Sequence, residues 1–380
     1  MKNLFRRGRL LVALSLAFTS LSSAALTQSD VDSIIKPLMK QQQIPGMSVA
    51  ISVDGEHFIY HYGVQSKQTK VPVSNNTLYE IGSLSKTFTA TLAAYAQGQG
   101  KLDFAQTVSH YLPELKNSAF DKVTVMNLAT HTSGLSLFVP DAVTNRAELI
   151  HYYQQWSPVK PIGEYRSYSN LGVGLLGMVT AKQLNQSFPN AMEKMMLPAL
   201  GMKHTYLQVP QNQQKNYAQG YNKQHQPVRV TPQILDNEAY GLKSNAKDLI
   251  HFLDINMQVA DVAKPWQEAV EDTHAGVYMT DSFVQDLMWE SYPWPVSLAQ
   301  LQQGNRDDMA LKPQKVDAIQ PPMPPESRAL YNKTGSTGGF ATYAVFIPEE
   351  KISVVLLSNQ WYPIPERINT AYQLIEKVKH

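Results

Sequence analysis

The chain has 380 residues, which is enough for a large hydrophobic core and one or two domains. Its 33 basic and 31 acidic residues give a formal net charge of +2, and no dense basic run follows residue 10, so nucleic acid is not an expected partner. The absence of cysteine excludes disulfides and lipid attachment through a thiol.

Residues 1–25 have the form of a secretory signal peptide. A basic segment ending at Arg9 precedes the apolar stretch Leu10–Phe18, and small residues follow. The apolar stretch is too short to span a bilayer, so we expect cleavage near residues 24/25 rather than a membrane anchor. No later segment is apolar enough to cross a membrane. The sequence therefore predicts a periplasmic protein without stable membrane association.

The start of the mature chain reads as a helix and a hairpin. Apolar residues recur at helical spacing from Val31 to Met39, although Pro37 is expected to bend or strain that helix. Two β-rich runs then flank Asp54-Gly55, which is a strong hairpin signal. A helix is predicted from Leu84 to about Gln97, and the pattern stays mostly helical to about residue 200.

The second half of the chain ends as the first begins, with two strands and a helix. Residues 205–245 are predicted as a long surface loop and residues 303–330 as an irregular connection. Strands are predicted at 341–348 and 352–359, followed by a helix at about 365–379.

These elements predict an α/β fold of the α+β type in a single 26–380 domain. Both ends, about 26–85 and 200–380, are expected to build one antiparallel sheet with the terminal helices on one face. Residues 86–200 are expected to form a mainly helical region. We expect a monomer.

Ser83 and Lys86 lie in the stretch YEIGSLSKTFTA, at the start of the predicted helix. One helical turn places them on the same face, where a lysine amine can take the serine proton and create a nucleophile. The helix dipole would also stabilise developing negative charge there. Ser-x-x-Lys occurs three more times in the chain, and an ordinary N-cap serine is the alternative explanation.

Two further motifs distinguish this copy. EYRSYSN contains Tyr168 and Asn170, and a tyrosine between two lysines would ionise below its usual pKa. NKTGSTGGF contains Lys333 and Thr334, a cation and a hydroxyl for an anion, beside glycines that permit close approach to the backbone. Each motif alone has a structural explanation, as a core tyrosine beside a turn or a glycine-rich strand entry.

In this order, the three motifs resemble the signature of penicillin-recognising serine enzymes. The chain is most similar to the class C β-lactamases, and the resemblance extends over nearly all of the mature chain, including IPGMSVAIS, PIGEYRSYSN and LDNEAYGLKS. It implies the β-lactamase/transpeptidase-like fold, with a site between the sheet and the helical region. It also implies hydrolysis of penicillins and cephalosporins through a serine acyl-enzyme, without a cofactor or metal.

The resemblance also implies roles for individual residues. Ser83 would be acylated, Lys86 and Tyr168 would share the acid–base work, and Lys333 would lower the pKa of Tyr168. Backbone N–H groups of Ser83 and Ser336 would form the oxyanion hole. The residues implied to contact substrate are Lys333, Asn170, Thr334, Ser336, Tyr240, Phe138 and Arg367, of which Asn170 would also hold Lys86.

Four positions depart from that family pattern. His131 stands where tyrosine is usual, Phe138 where a glutamine contacts the substrate amide, and Trp361 and Ile364 where asparagines help to place the substrate carboxylate. The lost amide groups predict weaker substrate capture and a narrower range of cephalosporins. Two alternatives stay open: a cell-wall D,D-peptidase or esterase with weak β-lactamase activity, and a non-catalytic penicillin-binding sensor.

Overall fold

A computed structural model describes residues 26–379. The predicted signal peptide therefore lies outside the described residues. The strands are β1 (Gly46–Val53), β2 (Glu56–Gly63), β3 (Tyr79–Glu80), β4 (Tyr165–Arg166), β5 (Gly220–Tyr221), β6 (Pro227–Val228), β7 (Lys243–Ser244), β8 (Gly276–Met279), β9 (Val284–Gln285), β10 (Glu290–Pro293), β11 (Gln314–Lys315), β12 (Asp317–Met323), β13 (Ala329–Ser336), β14 (Ala341–Ile347) and β15 (Ile352–Ser358).

The α-helices are α1 (Gln28–Gln41), α2 (Ser85–Gly98), α3 (Val108–Tyr111), α4 (Val125–Ala129), α5 (Arg146–Gln155), α6 (Asn170–Gln183), α7 (Phe188–Asn190), α8 (Leu197–Ala199), α9 (Asp236–Ala239), α10 (Ala246–Asn256), α11 (Lys264–Asp272), α12 (Leu298–Gly304), α13 (Asp308–Leu311) and α14 (Ile364–Lys379). A π-helical segment, Ala191–Met196, joins α7 to α8. Short 3₁₀ turns occupy Gly82–Leu84, Pro113–Leu115, Ala119–Asp121 and Gln211–Asn216.

Within the described residues, nine strands form one antiparallel sheet. Their order is β12-β8-β9-β10-β13-β14-β15-β1-β2, so the two ends of the chain meet where β15 pairs with β1. The predicted hairpins β1–β2 and β14–β15 are both present, and Asp54 and Gly55 have the positive φ angles that a tight hairpin turn requires. The predicted α+β fold class is confirmed.

The sheet is buried on both faces. Side chains alternate along β15, so Val354 and Leu356 join the core under α1 and α14, whereas Val355 and Leu357 join the core under α2, α6 and α10. The second core contains residues from both the sheet and the helical region, which are therefore packed as one hydrophobic unit. The predicted boundaries at residues 86 and 200 stay a prediction.

Two local expectations are corrected. The helix α1 is present as predicted and continues past the exposed Pro37, and the bend or strain expected at that residue stays a prediction. The stretch 205–245 contains a small β5–β6 hairpin and the short helix α9 as well as loop. Part of 303–330 is the edge strand β12, paired with β8; its prolines are compatible with that place because an edge strand leaves one row of N–H groups unpaired.

No helix among residues 26–379 is both long and apolar enough to cross a membrane.

Candidate active site

Ser83 lies in the 3₁₀ turn Gly82–Leu84, directly before α2. Gly82 has φ +53° and packs so closely on the end of β13 that a Cβ there would lie 2.5 Å from the Ser336 nitrogen. A Cβ on Gly335 would lie 2.0 Å from the carbonyl oxygen of Ile81. Both positions therefore require glycine, and the close packing brings the backbone of Ser83 and Ser336 together.

Lys86 is fully buried one turn into α2. Its ammonium donates to Ser83 Oγ at 3.0 Å and to the carbonyl oxygen of Ala239 at 2.8 Å. Burial lowers the pKa of Lys86 to about 8, and the charge of Lys333 adds to this effect while Tyr168 opposes it. Lys86 is therefore able to gain or lose a proton near neutral pH.

Tyr168 precedes α6, and its side chain is only 9% exposed. The ammonium groups of Lys86 and Lys333 lie 5.0 and 5.1 Å from the centre of its ring. Burial alone would raise the pKa of Tyr168, but the charges of Lys333 and Lys86 and a hydrogen bond from Ser83 lower it to about 8. Tyr168 therefore loses its proton more readily than an ordinary tyrosine, beside the serine hydroxyl.

Lys333 lies on β13 and is held from behind by a buried ion-pair network. Its ammonium is 3.9 Å from Glu290 Oε1 on β10, and the same carboxylate oxygen accepts a 2.8 Å hydrogen bond from Arg166. Arg166 also donates to the side-chain oxygen of Gln285 and the carbonyl oxygen of Met309, so its donors are well satisfied. The network holds the ammonium of Lys333 in a fixed position beside Tyr168.

Asn170 begins α6 and lines the cavity next to Ser83. Its side-chain oxygen is buried and has no hydrogen-bond partner among the described residues. The predicted contact that would hold Lys86 is therefore not formed; the carbonyl oxygen of Ala239 takes that place. Asn170 therefore keeps an unused hydrogen-bond acceptor next to the cavity.

Arg367 is not placed as the resemblance implied. Its guanidinium is fully buried behind β13 and donates to Gly335 O and Ser336 Oγ, each at 2.8 Å, and to the carbonyl oxygen of Tyr362. Burial leaves it no open face toward substrate. Arg367 instead positions the Gly335–Ser336 end of β13, so the expectation of direct substrate contact is corrected.

Two cavities meet at Ser83, Tyr168 and Ser336. The first, of about 310 Å³, is also lined by Thr334 and by Trp361 and Ile364, two of the residues that differ from the family pattern. The second, of about 550 Å³, contains Asn170, Tyr240 and Phe138. Tyr240 follows α9, and Phe138 is 69% exposed at the rim. A molecule reacting at Ser83 therefore has space on both sides.

His131 is a buried partner of Tyr168. Its ring centre lies 4.2 Å from that of Tyr168, and its Nδ1 accepts the backbone N–H of Ser169 at 3.1 Å. Burial lowers the pKa of His131 well below its ordinary value, and the nearby charges of Arg166, Lys86 and Lys333 add to this effect. The imidazole is therefore neutral, and its proton is on Nε2.

Comparison with known proteins identifies the family of the chain. The β-lactamase family model matches residues 31–379. A curated β-lactamase from Providencia stuartii is 73% identical over 379 residues, covering 100% of this chain and 99% of the relative. The chain belongs to the β-lactamase family.

Solved structures place the protein among the class C β-lactamases. A crystal structure of a class C β-lactamase in complex with cefoxitin has a TM-score of 0.90 and 49% identity, covering 92% of this chain and 98% of the other. The crystal structure of a D-alanine carboxypeptidase from Burkholderia cenocepacia has a TM-score of 0.88 and 45% identity, with the same shares covered. The fold thus also occurs in a protein named as a peptidase.

Sequence reasoning missed several groups around this β-lactamase site. Arg166 and Glu290 support Lys333, and the backbone oxygen of Ala239 holds Lys86. Arg166 lies two residues before Tyr168, which was the one available signal; Glu290 and Ala239 had none. Among residues 26–379, no group of three or more His, Cys, Asp or Glu side chains is arranged to hold a metal ion.

Proposed function

We propose that this protein is a class C serine β-lactamase that opens the β-lactam amide bond through an acyl-enzyme on Ser83. The observation that carries the proposal is the arrangement around the Ser83 hydroxyl. Its oxygen is 3.0 Å from the ammonium of Lys86, and Tyr168 lies between Lys86 and Lys333. This is a nucleophile with an adjacent base and a charge environment that lowers the pKa of that base.

Acylation begins with proton transfer from Ser83. The hydroxyl gives its proton to the Tyr168–Lys86 pair as Oγ attacks the β-lactam carbonyl carbon. The carbonyl oxygen becomes negative in the tetrahedral intermediate, where the backbone N–H groups of Ser83 and Ser336 stabilise it. Cleavage of the carbon–nitrogen bond then leaves the acyl group on Ser83, and the Tyr168–Lys86 pair returns a proton to the ring nitrogen.

Deacylation repeats the same chemistry with water. The Tyr168–Lys86 pair takes a proton from water as the water oxygen attacks the ester carbon. The acyl–oxygen bond then breaks, and Ser83 regains its proton. The pair alternates between base and acid, which suits two groups that each titrate at about pH 8.

The two cavities bind different parts of the substrate. Lys333, Thr334 and Ser336 offer a cation and hydroxyls to the carboxylate in the first cavity. Asn170 and Tyr240 face the acyl side chain in the second, where Phe138 supplies an apolar rim. Phe138, Trp361 and Ile364 provide no amide donors, so weaker capture and a narrower range of cephalosporins stay predicted.

The decisive experiment combines turnover with intact-mass measurement. We expect the purified protein to hydrolyse a chromogenic cephalosporin, and a slowly deacylated β-lactam to add its mass to the peptide that contains Ser83. Ser83→Ala should lose both the adduct and turnover. Ser33→Ala is a matched control, since Ser33 also precedes a lysine by three residues but lies exposed on α1. An adduct on another serine, or turnover by Ser83→Ala, contradicts the assignment.

The second candidate function is a D,D-peptidase, favoured by the likeness to a protein named as a D-alanine carboxypeptidase. The same experiment separates the two, because a β-lactamase regains its free mass rapidly whereas a peptidase stays acylated by penicillin. A non-catalytic sensor would lack part of the acid–base set, yet Ser83, Lys86, Tyr168 and Lys333 are together here.

Export and assembly complete the proposal. The basic and apolar segments of residues 1–25 support export to the periplasm, where β-lactams arrive. The cavities contain all the site groups from one chain, which supports action as a monomer.

A further inference from the structure

Lys223 lies at the mouth of the first cavity, far along the chain from the three motifs. Its ammonium is 4.0 Å from the centre of the Trp361 ring, a distance at which a cation is attracted to the ring face. Both residues line the 310 Å³ cavity that contains Ser83, Thr334 and Ser336. Trp361 therefore gives Lys223 a defined place beside the reactive serine's cavity.

The turn that carries Lys223 is tied to the segment that carries Trp361. The Gln360 side chain donates to the carbonyl oxygen of Asn222 at 2.7 Å, and its side-chain oxygen is 3.1 Å from His225 Nδ1. The backbone N–H of Trp361 donates to the carbonyl oxygen of Tyr221 at 3.0 Å. These contacts lie on both sides of Lys223 in the chain, so its backbone is fixed relative to the ring it covers.

The charges around this cavity favour an anion. The cationic side chains that line it are Arg166, Lys223, Arg306 and Lys333, and the carboxylates are Glu290 and Asp307. Arg166 and Glu290 are paired with each other and Arg306 is paired with Asp281, so these groups contribute little net charge. Lys223 and Lys333 then outnumber the one remaining carboxylate, Asp307, and the cavity keeps a positive excess. A cleft with an excess of one charge raises the local concentration of molecules of opposite charge. The side chain of Ile364, which also lines this cavity, has no hydrogen-bond donor with which to bind an anion, so a cation is needed for that contact.

We propose that Lys223, held over Trp361, is a specificity-determining residue that captures negatively charged β-lactams at the mouth of this cavity. The inference rests on the proposed function and assigns to this chain a cation that replaces amide donors at the carboxylate end. The anionic group is the carboxylate on the fused ring or a second anionic substituent next to it. The contact forms before chemistry, so it acts on substrate capture rather than on bond cleavage.

The test measures kcat and KM for Lys223→Gln on two cephalosporins with the same acyl side chain, one with a neutral and one with an anionic C3 substituent. We expect KM to rise about two- to fivefold with kcat unchanged, as for one exposed charge pair. A rise for both substrates identifies the ring carboxylate as the partner of Lys223. A rise for the anionic compound alone identifies the C3 substituent.

Lys67→Gln is the matched control. Lys67, like Lys223, is exposed, and its ammonium lies 4.5 Å from the centre of an aromatic ring, that of Tyr221 on β5. Unlike Lys223, it does not line the cavity. Its KM values should stay unchanged, and Lys223→Arg should restore capture because it keeps the charge. Added salt should lower kcat/KM of the parent more than that of Lys223→Gln, because the parent alone has the Lys223 charge that salt can screen.

Unchanged KM in Lys223→Gln on both substrates, a loss confined to kcat, or an equal loss in Lys67→Gln overturns the proposal. Any of these results leaves the proposed function standing as long as the parent turns over a cephalosporin. Absence of turnover by the parent, with Ser83 remaining acylated, instead contradicts the proposed function.

Discussion

Tyr168 acquires its acidity from two lysines on different elements, Lys86 on α2 and Lys333 on β13. Burial works against ionisation of the phenol, so the lowered pKa requires both cations to be close. His131 also packs against the ring of this tyrosine and stays neutral, and it therefore adds no competing charge. At this scale, function depends on which charges meet at one oxygen.

Replacing Tyr168 with Phe should reduce kcat/KM about a hundredfold to ten-thousandfold, because it removes one member of the acid–base pair. In the parent, kcat/KM should follow a bell-shaped curve centred near pH 8. At lower pH both groups of the pair keep their protons and no base is available; at higher pH both lose them and no acid remains. Steady-state kinetics across pH 5–10 provides the measurement.

Tyr165→Phe serves as the control for this change. Tyr165 is three residues away and partly exposed, next to Lys160 rather than the site lysines. It should keep the parent's rate and pH curve. Parent-like turnover by Tyr168→Phe would remove that residue from the proposed mechanism.

Two buried neutral histidines should make stability fall in mild acid. Burial lowers the pKa of His131 far below 6.5 and that of His274 to about 3, whereas the unfolded chain binds these protons near pH 6.5. The unfolded state therefore takes up more protons as pH falls, and each histidine should lower the free energy of unfolding by about 1–2 kcal/mol between pH 7 and pH 5. Urea denaturation at the two pH values measures this loss.

The comparison variant is His274→Asn. Its free energy of unfolding should fall less between pH 7 and pH 5 than that of the parent, by the contribution of one histidine. His151→Asn, at an exposed position, should leave the pH dependence as in the parent. Equal pH dependence in His274→Asn and the parent would show that His274 does not contribute.

At the scale of elements, the site exists because the turn before α2 touches the end of β13. Gly82 and Gly335 permit that contact, and Arg367 holds the strand end from behind. Ser83 is thus positioned by backbone contacts, while its chemistry comes from side chains. The NKTGSTGGF motif accordingly contributes through Gly335 as well as through Lys333 and Thr334.

Gly335→Ala should disturb this contact, because its Cβ would lie 2.0 Å from the carbonyl oxygen of Ile81. Overpacking of this kind costs about 1–3 kcal/mol of stability. A displacement of the Ser83 turn by about 1 Å can reduce turnover about a hundredfold. Gly98→Ala, at the end of α2 with nothing within 4 Å of its Cβ, should be neutral or slightly stabilising. Thermal melts and turnover test both variants, and parent-like values for Gly335→Ala would contradict the steric argument.

At the scale of the whole molecule, the strands β15 and β1 join the two ends of the chain within one sheet, beside its edge strand β2. Leu356 on β15 packs under the terminal helices, and its neighbour Leu357 packs under the helical region. The two cores therefore share one sheet, and neither is expected to unfold alone. This explains how segments at residues 83, 168 and 333 keep one fixed geometry.

Leu356→Ala should lower the free energy of unfolding by about 2–5 kcal/mol, because it leaves a cavity in a fully buried site. Circular dichroism and loss of activity should shift together in one denaturant transition. Val71→Ala, at a side chain that is 45% exposed, should change stability by less than about 0.5 kcal/mol. Separate transitions, with only one of them moved by Leu356→Ala, would contradict the shared core.

The sequence alone determined the elements with strong local signals. The Asp54-Gly55 turn and the alternating or continuous apolar runs specify their hairpins locally, and the three motifs identify Ser83, Lys86, Tyr168 and Lys333 as residues to consider together. Edge strand β12 escaped detection because its prolines argue locally against a strand, while its pairing with β8 is a tertiary contact.

Only the tertiary structure decided the relations between distant charges. It placed Arg367 behind β13, joined Arg166 and Glu290 to Lys333, and gave Lys86 the carbonyl oxygen of Ala239 in place of Asn170. It also set Lys223 on the ring of Trp361. Local sequence carries turn and periodicity signals because these depend on neighbouring residues. Burial, ion pairing and pKa depend on which distant segments exclude water from one another, and that is fixed only when the chain packs.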